Sequence, residues 1–144
     1  MKVLFVCTGN ICRSPMAQVI FSNLCKRKGR KDIVIKGAGT DTCDGWEMTA
    51  EAIQALKLCG EKLPRKVMLS TKFDKVMIEG YDWIITMTHA HSERIGRYQN
   101  VKSLDDVVGC GDIMDPYNYP VDVYVDVCKK LQEALPILYK EIAE

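Results

Sequence analysis

The run FVCTGNICRSP at residues 5–15 constrains the fold more than any other stretch of this chain. The apolar, β-branched residues that end at Cys7 are typical of a short strand buried on both faces of a parallel sheet. Ser14 and Pro15 are typical of the N-cap and the first residue of a helix. A strand that passes through a short loop into a helix starts an α/β unit, and such sheets bind ligands at the carboxyl ends of their strands. We therefore expect Cys7 at a ligand site.

The rest of the chain alternates strand and helix signals. No repeat or Pro/Gly/Ser-rich linker interrupts it, so we expect one domain over residues 1–144. The pattern predicts an α/β fold, a doubly wound and mostly parallel sheet of four strands flanked by helices. The predicted strands are residues 2–7, 32–37, 81–88 and 100–104, and the predicted helices are residues 14–29, 49–60, 71–80, 89–98 and 121–144. Pro136 is expected to kink or restart the last helix.

Composition excludes several classes of function. Twenty basic and 19 acidic residues give a net charge of +1, too little for a general attraction to nucleic acid or to an anionic membrane. No apolar run approaches the ~18 residues of a membrane span, and the apolar opening is too short for a secretory signal. The seven cysteines lack the spacing of a disulfide framework or a zinc site. These features predict a soluble, cytoplasmic protein with reduced thiols.

The segment TGNICR between Cys7 and the first helix has the properties of an anion-binding loop. Its backbone N–H groups can form a nest at the positive end of the helix. Gly9 permits backbone angles that a side chain would forbid, and Asn10 is expected to hydrogen-bond the loop's own backbone. The planar guanidinium of Arg13 can clasp two oxygens of a phosphoryl group. The predicted ligand is thus a phosphate-like oxyanion held over the sulfur of Cys7.

Amide dipoles, Arg13 and the Ser14 hydroxyl would together favour the thiolate of Cys7, which is the nucleophilic form. Attack on phosphorus would give a phosphocysteine. A Walker-type nucleotide loop is excluded because the GK[ST] triplet is missing. A metal bound by Cys7 and Cys12 would place a cation inside a cationic nest, so no metal is expected.

The leaving group of a phosphate ester needs a proton, and the segment DIMDPYNYP offers a donor. Asp115 precedes Pro116 in this segment and is the expected acid. Asp112 is the competing carboxylate, expected to cap the loop or to support Asp115.

Four other residues are expected to have no catalytic role. Two residues apart on a helix, His89 and His91 point in opposite directions, and both are expected at a solvated helix start. Trp46 and Tyr98 are expected to be packing residues.

The motif CTGNICRSP with a late DPY resembles the low-molecular-weight protein tyrosine phosphatases over the whole length of the chain. The resemblance implies a four-stranded parallel sheet, a phosphocysteine intermediate, phosphorylated protein substrates, and no metal or cofactor. It implies that Cys7 is the nucleophile, Arg13 the phosphate clamp and Asp115 the general acid that later activates water. Cys12 matches the family's second cysteine, which could trap an oxidised Cys7 as a reversible disulfide. The implied substrate- and phosphate-binding residues are Thr8, Gly9, Asn10, Ile11, Cys12, Ser14 and Tyr117.

The resemblance leaves two substrates open, phosphotyrosine and the phosphoarginine hydrolysed by one bacterial branch. That branch has a threonine where Ile11 stands here, and the methyl groups of Ile11 can instead pack on a phenyl ring opposite Tyr117. Phosphotyrosine is therefore favoured. MTHAH at residues 87–91 and the spacing from the Asp-Pro pair to Tyr124 resemble the arginine branch instead.

Three further points compare this chain with related proteins. Cys43 stands about where many tyrosine phosphatases place an aromatic wall residue, and the sequence leaves open whether Trp46 takes that place. An arsenate reductase would need two more cysteines near the third strand, and none occurs between Cys59 and Cys110. A phosphocysteine carrier domain would have no use for Arg13 and Asp115.

Overall fold

The strand that ends at Cys7 is central in the sheet. In the computed structural model, which describes residues 1–144, it pairs in parallel with the second strand on one side and the third on the other. The sheet has the order β2-β1-β3-β4, with β1 (Lys2–Cys7), β2 (Val34–Gly39), β3 (Trp83–Thr86) and β4 (Val101–Ser103), all parallel. The predicted doubly wound sheet is confirmed. The winding direction reverses at β1, which places Cys7 at the switch point.

Helices cover both faces of this sheet. They are α1 (Arg13–Arg27), α2 (Ala50–Leu58), α3 (Met77–Gly80), α4 (His89–Ile95), α5 (Leu104–Val108) and α6 (Val121–Ile142). Alternate residues of β1 point to opposite faces. Phe5 and Cys7 lie in the larger core with α1, α2 and α6, whereas Leu4 and Val6 lie in the smaller core with residues of α3 and α4.

The start of α1 differs from the prediction. The helix begins at Arg13 with Cys12 in the N-cap position, and no side chain caps it. Ser14, the predicted N-cap, lies inside the first turn because its hydroxyl bonds the neighbouring loop instead. Pro15 remains in that first turn, where a missing N–H breaks no intrahelical bond.

The segment 71–80 forms a helix only at its end, over Met77–Gly80. Its first residues extend along the carboxyl end of β2, where the N–H of Phe73 donates to the carbonyl of Gly39 at 2.8 Å. This pairing explains why the predicted helix is shorter. Helix α5, which was not predicted, follows β4 and begins with a capping box between Ser103 and Asp106.

The last helix, α6, continues through Pro136 without a restart. Residues on its inner face are buried on both sides of the proline, among them Leu131, Leu135 and Leu138. Their packing offsets the backbone hydrogen bond that a proline removes. None of the helices has both the length and the apolar character needed to cross a bilayer.

Packing of α6 on the larger core predicts a position-dependent loss of stability. Leu131 is fully buried, whereas Ile137 on the same helix is 46% exposed. We expect Leu131→Ala to lower the free energy of unfolding by about 2–5 kcal/mol, because a cavity is left in the core. The matched variant Ile137→Ala should change it by less than about 1 kcal/mol. Urea unfolding monitored by circular dichroism measures both, and equal losses would contradict this packing.

Candidate active site

Residues 7–13, here called the Cys7 loop, are held against the carboxyl end of β2. The N–H groups of Thr40 and Asp41 donate to the carbonyls of Cys7 and Thr8, both at 2.9 Å. A Cβ atom on Gly39 would lie 2.5 Å from the carbonyl oxygen of Thr8, so only glycine allows this approach. Glycine inside a strand is a known sign of a close backbone approach, and the KGAG segment could have revealed this contact.

Asn10, and not Gly9, adopts the left-handed conformation in the loop, with φ of +55°. Asparagine tolerates this conformation better than most residues. Its side chain does not bond the loop's own backbone, as the sequence suggested, but spans two other segments. Its Nδ2 donates to Ser14 Oγ at 2.7 Å, and its Oδ1 accepts from the N–H of Thr71 at 2.9 Å. Asn10 therefore joins the loop both to α1 and to the segment before α3.

The sulfur of Cys7 is buried and receives hydrogen bonds from the loop. The N–H of Asn10 lies 3.3 Å from Cys7 Sγ, and Ser14 Oγ lies 3.0 Å from it. Because Ser14 Oγ already accepts a hydrogen bond from Asn10, its own O–H can donate to the sulfur. Two donors directed at one sulfur stabilise a negative charge there.

Arg13 places a buried positive charge beside the loop. Its side chain donates from Nη1 to the carbonyl of Ile113 at 3.0 Å and from Nη2 to Thr8 Oγ1 at 3.2 Å. The Oδ2 atom of Asp115 lies 3.6 Å from the same Nη2. These partners compensate the burial of the guanidinium and fix its position.

A cavity of about 220 Å³ opens above the Cys7 loop. Its apolar walls include Ile11, Trp46 and Tyr117. Most of the residues predicted for the site line this cavity, and the exceptions, Asn10 and Ser14, contact the sulfur. The full lining is Cys7, Thr8, Gly9, Ile11, Cys12, Arg13, Trp46, Asp115 and Tyr117.

The expectation that Trp46 is a packing residue is wrong, since its side chain is 54% exposed and lines the cavity. Its backbone is held on both sides by Ser70, which donates to its carbonyl at 2.7 Å and accepts from its N–H at 2.9 Å. Cys43 is exposed and does not line the cavity. Tyr98, also expected to be a packing residue, is 44% exposed.

Asp115 lies at the mouth of the cavity with half of its side chain exposed. Its Oδ1 accepts from the N–H of Tyr117 at 3.1 Å, the local bond of an Asp-Pro turn. The other carboxylate, Asp112, accepts from the N–H of His89 at 3.0 Å and so caps the start of α4. Only Asp115 therefore faces the loop.

His91 is buried, contrary to the expectation of a solvated helix start. Its Nε2 lies 2.8 Å from Thr8 Oγ1, and its Nδ1 lies 2.8 Å from Thr88 Oγ1. Burial and the positive charge of Arg13 lower the pKa of His91 to about 4, so its ring is neutral at pH 7. His89 is exposed as expected, and its hydrogen bond to Asp105 raises its pKa.

Cys12 lies in the cavity lining with Cys7 but in a different environment. Its sulfur is 3.4 Å from the hydroxyl of Tyr124 and 3.6 Å from that of Thr49. Burial raises the pKa of the Cys12 thiol, which is therefore neutral at pH 7. No group of three or more His, Cys, Asp and Glu side chains is arranged to hold a metal ion.

Known proteins of similar sequence are protein phosphatases. The "Protein-arginine-phosphatase" of Bacillus subtilis (strain 168) is 33% identical over 149 residues, covering 99% of this chain and 97% of that protein. The "Low molecular weight protein-tyrosine-phosphatase PtpB" of Staphylococcus haemolyticus is 30% identical over 136 residues, covering 91% of this chain and 92% of that protein.

Solved structures of arginine phosphatases and of tyrosine phosphatases share the fold of this chain. A YwlE arginine phosphatase variant with a phosphorylated active-site serine superimposes with a TM-score of 0.90 at 30% identity, covering 100% of this chain and 97% of that one. The low molecular weight protein tyrosine phosphatase of T. tengcongensis gives 0.88 at 32% identity, covering 99% of each chain. The model of the low molecular weight phosphotyrosine protein phosphatases matches residues 2–144. This protein therefore belongs to the low molecular weight phosphotyrosine protein phosphatase family.

Proposed function

We propose that this protein hydrolyses phosphotyrosine in proteins through a cysteinyl phosphate formed on Cys7. The observation that carries the proposal is the convergence on one cavity of the Cys7 sulfur, the Arg13 guanidinium and the Asp115 carboxyl group. A nucleophile, an anion clamp and a proton donor are the three groups that transfer of a phosphoryl group from an aryl ester requires.

In the first step the thiolate of Cys7 attacks phosphorus, and the bond from phosphorus to the phenolic oxygen breaks. Asp115, in its carboxylic acid form, gives its proton to the leaving oxygen. The loop N–H groups and Arg13 hold the three remaining phosphoryl oxygens. The products are a tyrosine side chain and a phosphorylated Cys7.

In the second step a water molecule takes the place of the phenol. The Asp115 carboxylate accepts a proton from this water. At the same time the oxygen of the water attacks phosphorus, and the sulfur–phosphorus bond breaks. Inorganic phosphate leaves and the thiolate returns. The YwlE variant solved with a phosphorylated active-site serine supports phosphoryl transfer to this position.

The walls of the cavity support an aromatic substrate. Ile11, Trp46 and Tyr117 enclose the space above the sulfur with apolar and aromatic surface. Side chains of this kind pack well against a phenyl ring. Ile11 in particular has no hydroxyl with which to hydrogen-bond a guanidinium.

A protein-arginine phosphatase is the second candidate, favoured by the full-length likeness to the Bacillus subtilis enzyme. The MTHAH segment, which also resembles the arginine phosphatases, contributes His91, which contacts Thr8 of the Cys7 loop, and Thr88, which contacts His91. Tyr124, the other shared feature, is fully buried and contacts Cys12. Since these side chains lie behind the loop and outside the cavity lining, we give more weight to Ile11, which lines it.

We also propose a cytoplasmic location. All seven cysteines are unpaired, which is usual for proteins kept in a reducing compartment.

Replacement of Cys7 by serine tests the nucleophile. The variant should keep its fold and bind inorganic phosphate, but its kcat should fall at least about 10³-fold because a serine hydroxyl in this loop lacks a base. Hydrolysis of 4-nitrophenyl phosphate measures kcat, and calorimetric titration with inorganic phosphate measures binding. Cys43→Ser, at an exposed position away from the cavity, is the control. Substantial residual turnover in Cys7→Ser would remove Cys7 from its proposed role.

Replacement of Asp115 by asparagine tests the general acid. Hydrolysis of phenyl phosphate, which has a poor leaving group, should slow by about 10²–10⁴-fold. Hydrolysis of 4-nitrophenyl phosphate should slow much less, since its leaving group needs less help from an acid. The matched control Asp112→Asn should keep the wild-type ratio of the two rates, and equal slowing of both esters by Asp115→Asn would point to another acid.

Replacement of Ile11 by threonine tests the substrate. The wild-type protein should prefer phosphotyrosine peptides to phosphoarginine peptides, and Ile11→Thr should shift the ratio of kcat/KM towards phosphoarginine by about tenfold or more, since a hydroxyl then faces the leaving group. Ile11→Val, which keeps the branched apolar surface, should leave the ratio near the wild-type value. A wild-type preference for phosphoarginine would overturn the proposed substrate, and an unchanged ratio in Ile11→Thr would place the selectivity elsewhere.

A further inference from the structure

We infer that His91 is a positioning residue for the reaction, which holds the phosphate clamp Arg13 in place through the hydroxyl of Thr8. The inference rests on the proposed function, because Arg13 acts as a clamp only if a phosphoryl group binds in the Cys7 loop. His91 is not among the residues that line the cavity, so its effect on the substrate is indirect.

The contacts form one continuous path. Thr8 Oγ1 lies 2.8 Å from His91 Nε2 and 3.2 Å from Arg13 Nη2, so a single hydroxyl joins the two side chains. On its far side the ring is held by Thr88, whose Oγ1 lies 2.8 Å from Nδ1. Thr88 is itself fixed as the N-cap of α4, since its hydroxyl accepts from the N–H of His91.

Because the His91 ring is neutral, its two nitrogens play different parts in these hydrogen bonds. A neutral imidazole has one nitrogen that donates and one that accepts. When Nδ1 donates to Thr88, Nε2 accepts a hydrogen bond from the Thr8 hydroxyl, and a lone pair of the Thr8 oxygen faces Arg13. When Nε2 carries the proton, it occupies one lone pair of Thr8, and Arg13 occupies the other. In both tautomers His91 sets the rotation of the Thr8 hydroxyl that receives Arg13.

The remaining contacts of Arg13 show what depends on this hydroxyl. Nη1 is held by the carbonyl of Ile113, whereas Nη2 has Thr8 at 3.2 Å and Asp115 at 3.6 Å. Thr8 is therefore the closer of the two partners of Nη2, and it is the one within hydrogen-bonding distance. A small displacement of a clamp of this kind is enough to lower the rate of a reaction strongly.

Two substitutions of similar polarity separate the contact with Thr8 from the contact with Thr88. In His91→Gln a polar atom can occupy the place of Nε2 and reach Thr8. The shorter side chain of His91→Asn can occupy only the place of Nδ1, near Thr88. We expect His91→Asn to weaken the binding of inorganic phosphate and to lower kcat/KM for 4-nitrophenyl phosphate, each by about 10–100-fold, the range for a lost hydrogen bond to a charged group. His91→Gln should stay within about threefold of the wild-type protein, as expected if the bond to Thr8 is retained.

A double-mutant cycle with Thr8→Val tests whether His91 acts through Thr8. In the Thr8→Val background, which lacks the hydroxyl, His91→Asn should change phosphate binding by less than about twofold, because coupled residues are not additive. His89→Asn is the matched control, since His89 lies on the same helix but is exposed and bonds Asp105. It should behave as the wild type. Equal effects of His91→Asn and His91→Gln, or losses that simply add in the cycle, would overturn the inference.

Nuclear magnetic resonance of the wild-type protein gives a readout that needs no variant to fold. The chain has only two histidines, so their ring nitrogens are readily assigned. Addition of inorganic phosphate should shift the Nε2 resonance of His91 and leave that of His89 unchanged, and an unaffected His91 would contradict the inference. Both phosphate measurements are independent of turnover. A protein that binds phosphate through this path but hydrolyses no phosphate ester would contradict the proposed function and leave only the role of His91 in phosphate binding.

Discussion

The site depends on one series of hydrogen bonds that runs from the N–H of Thr71 through Asn10 and Ser14 to the sulfur of Cys7. Each member is buried or half-buried, so losing one partner leaves a polar group without a bond at a cost of about 1–3 kcal/mol. The series fixes the left-handed turn at Asn10 and aims the Ser14 hydroxyl at the sulfur. The shape of the loop and the chemistry of its cysteine are therefore set by the same contacts.

Arg13 adds the electrostatic part of this arrangement. A buried guanidinium is tolerated only where several acceptors surround it. Here the acceptors come from three separate parts of the chain, namely Thr8 in the loop, the carbonyl of Ile113, and Asp115. The residue that we propose as the phosphate clamp thus also lies beside the carboxyl group that we propose as the proton donor.

The sequence predicts the parts of this molecule that depend on local signals. The strand at Cys7, the helix that follows, and the Asp-Pro turn at Asp115 all have short patterns with direct physical causes. The residues that local patterns miss are those placed by tertiary packing. His91 is polar and near a helix start, which locally favours exposure, yet the Cys7 loop packs over it. Trp46 is apolar and locally favours the core, yet its backbone bonds to Ser70 hold it at the cavity.

The distances along the chain between these partners have a consequence for how the protein becomes active as it is made. Cys7 and Arg13 leave the ribosome early, but Thr71 follows 61 residues after Asn10, and Ile113 follows 100 residues after Arg13. Until those segments are synthesised, the loop lacks the Thr71 N–H that donates to Asn10 and the Ile113 carbonyl that accepts from Arg13. A nascent chain therefore contains Cys7 and Arg13 long before it contains all the segments that hold the Cys7 loop in shape.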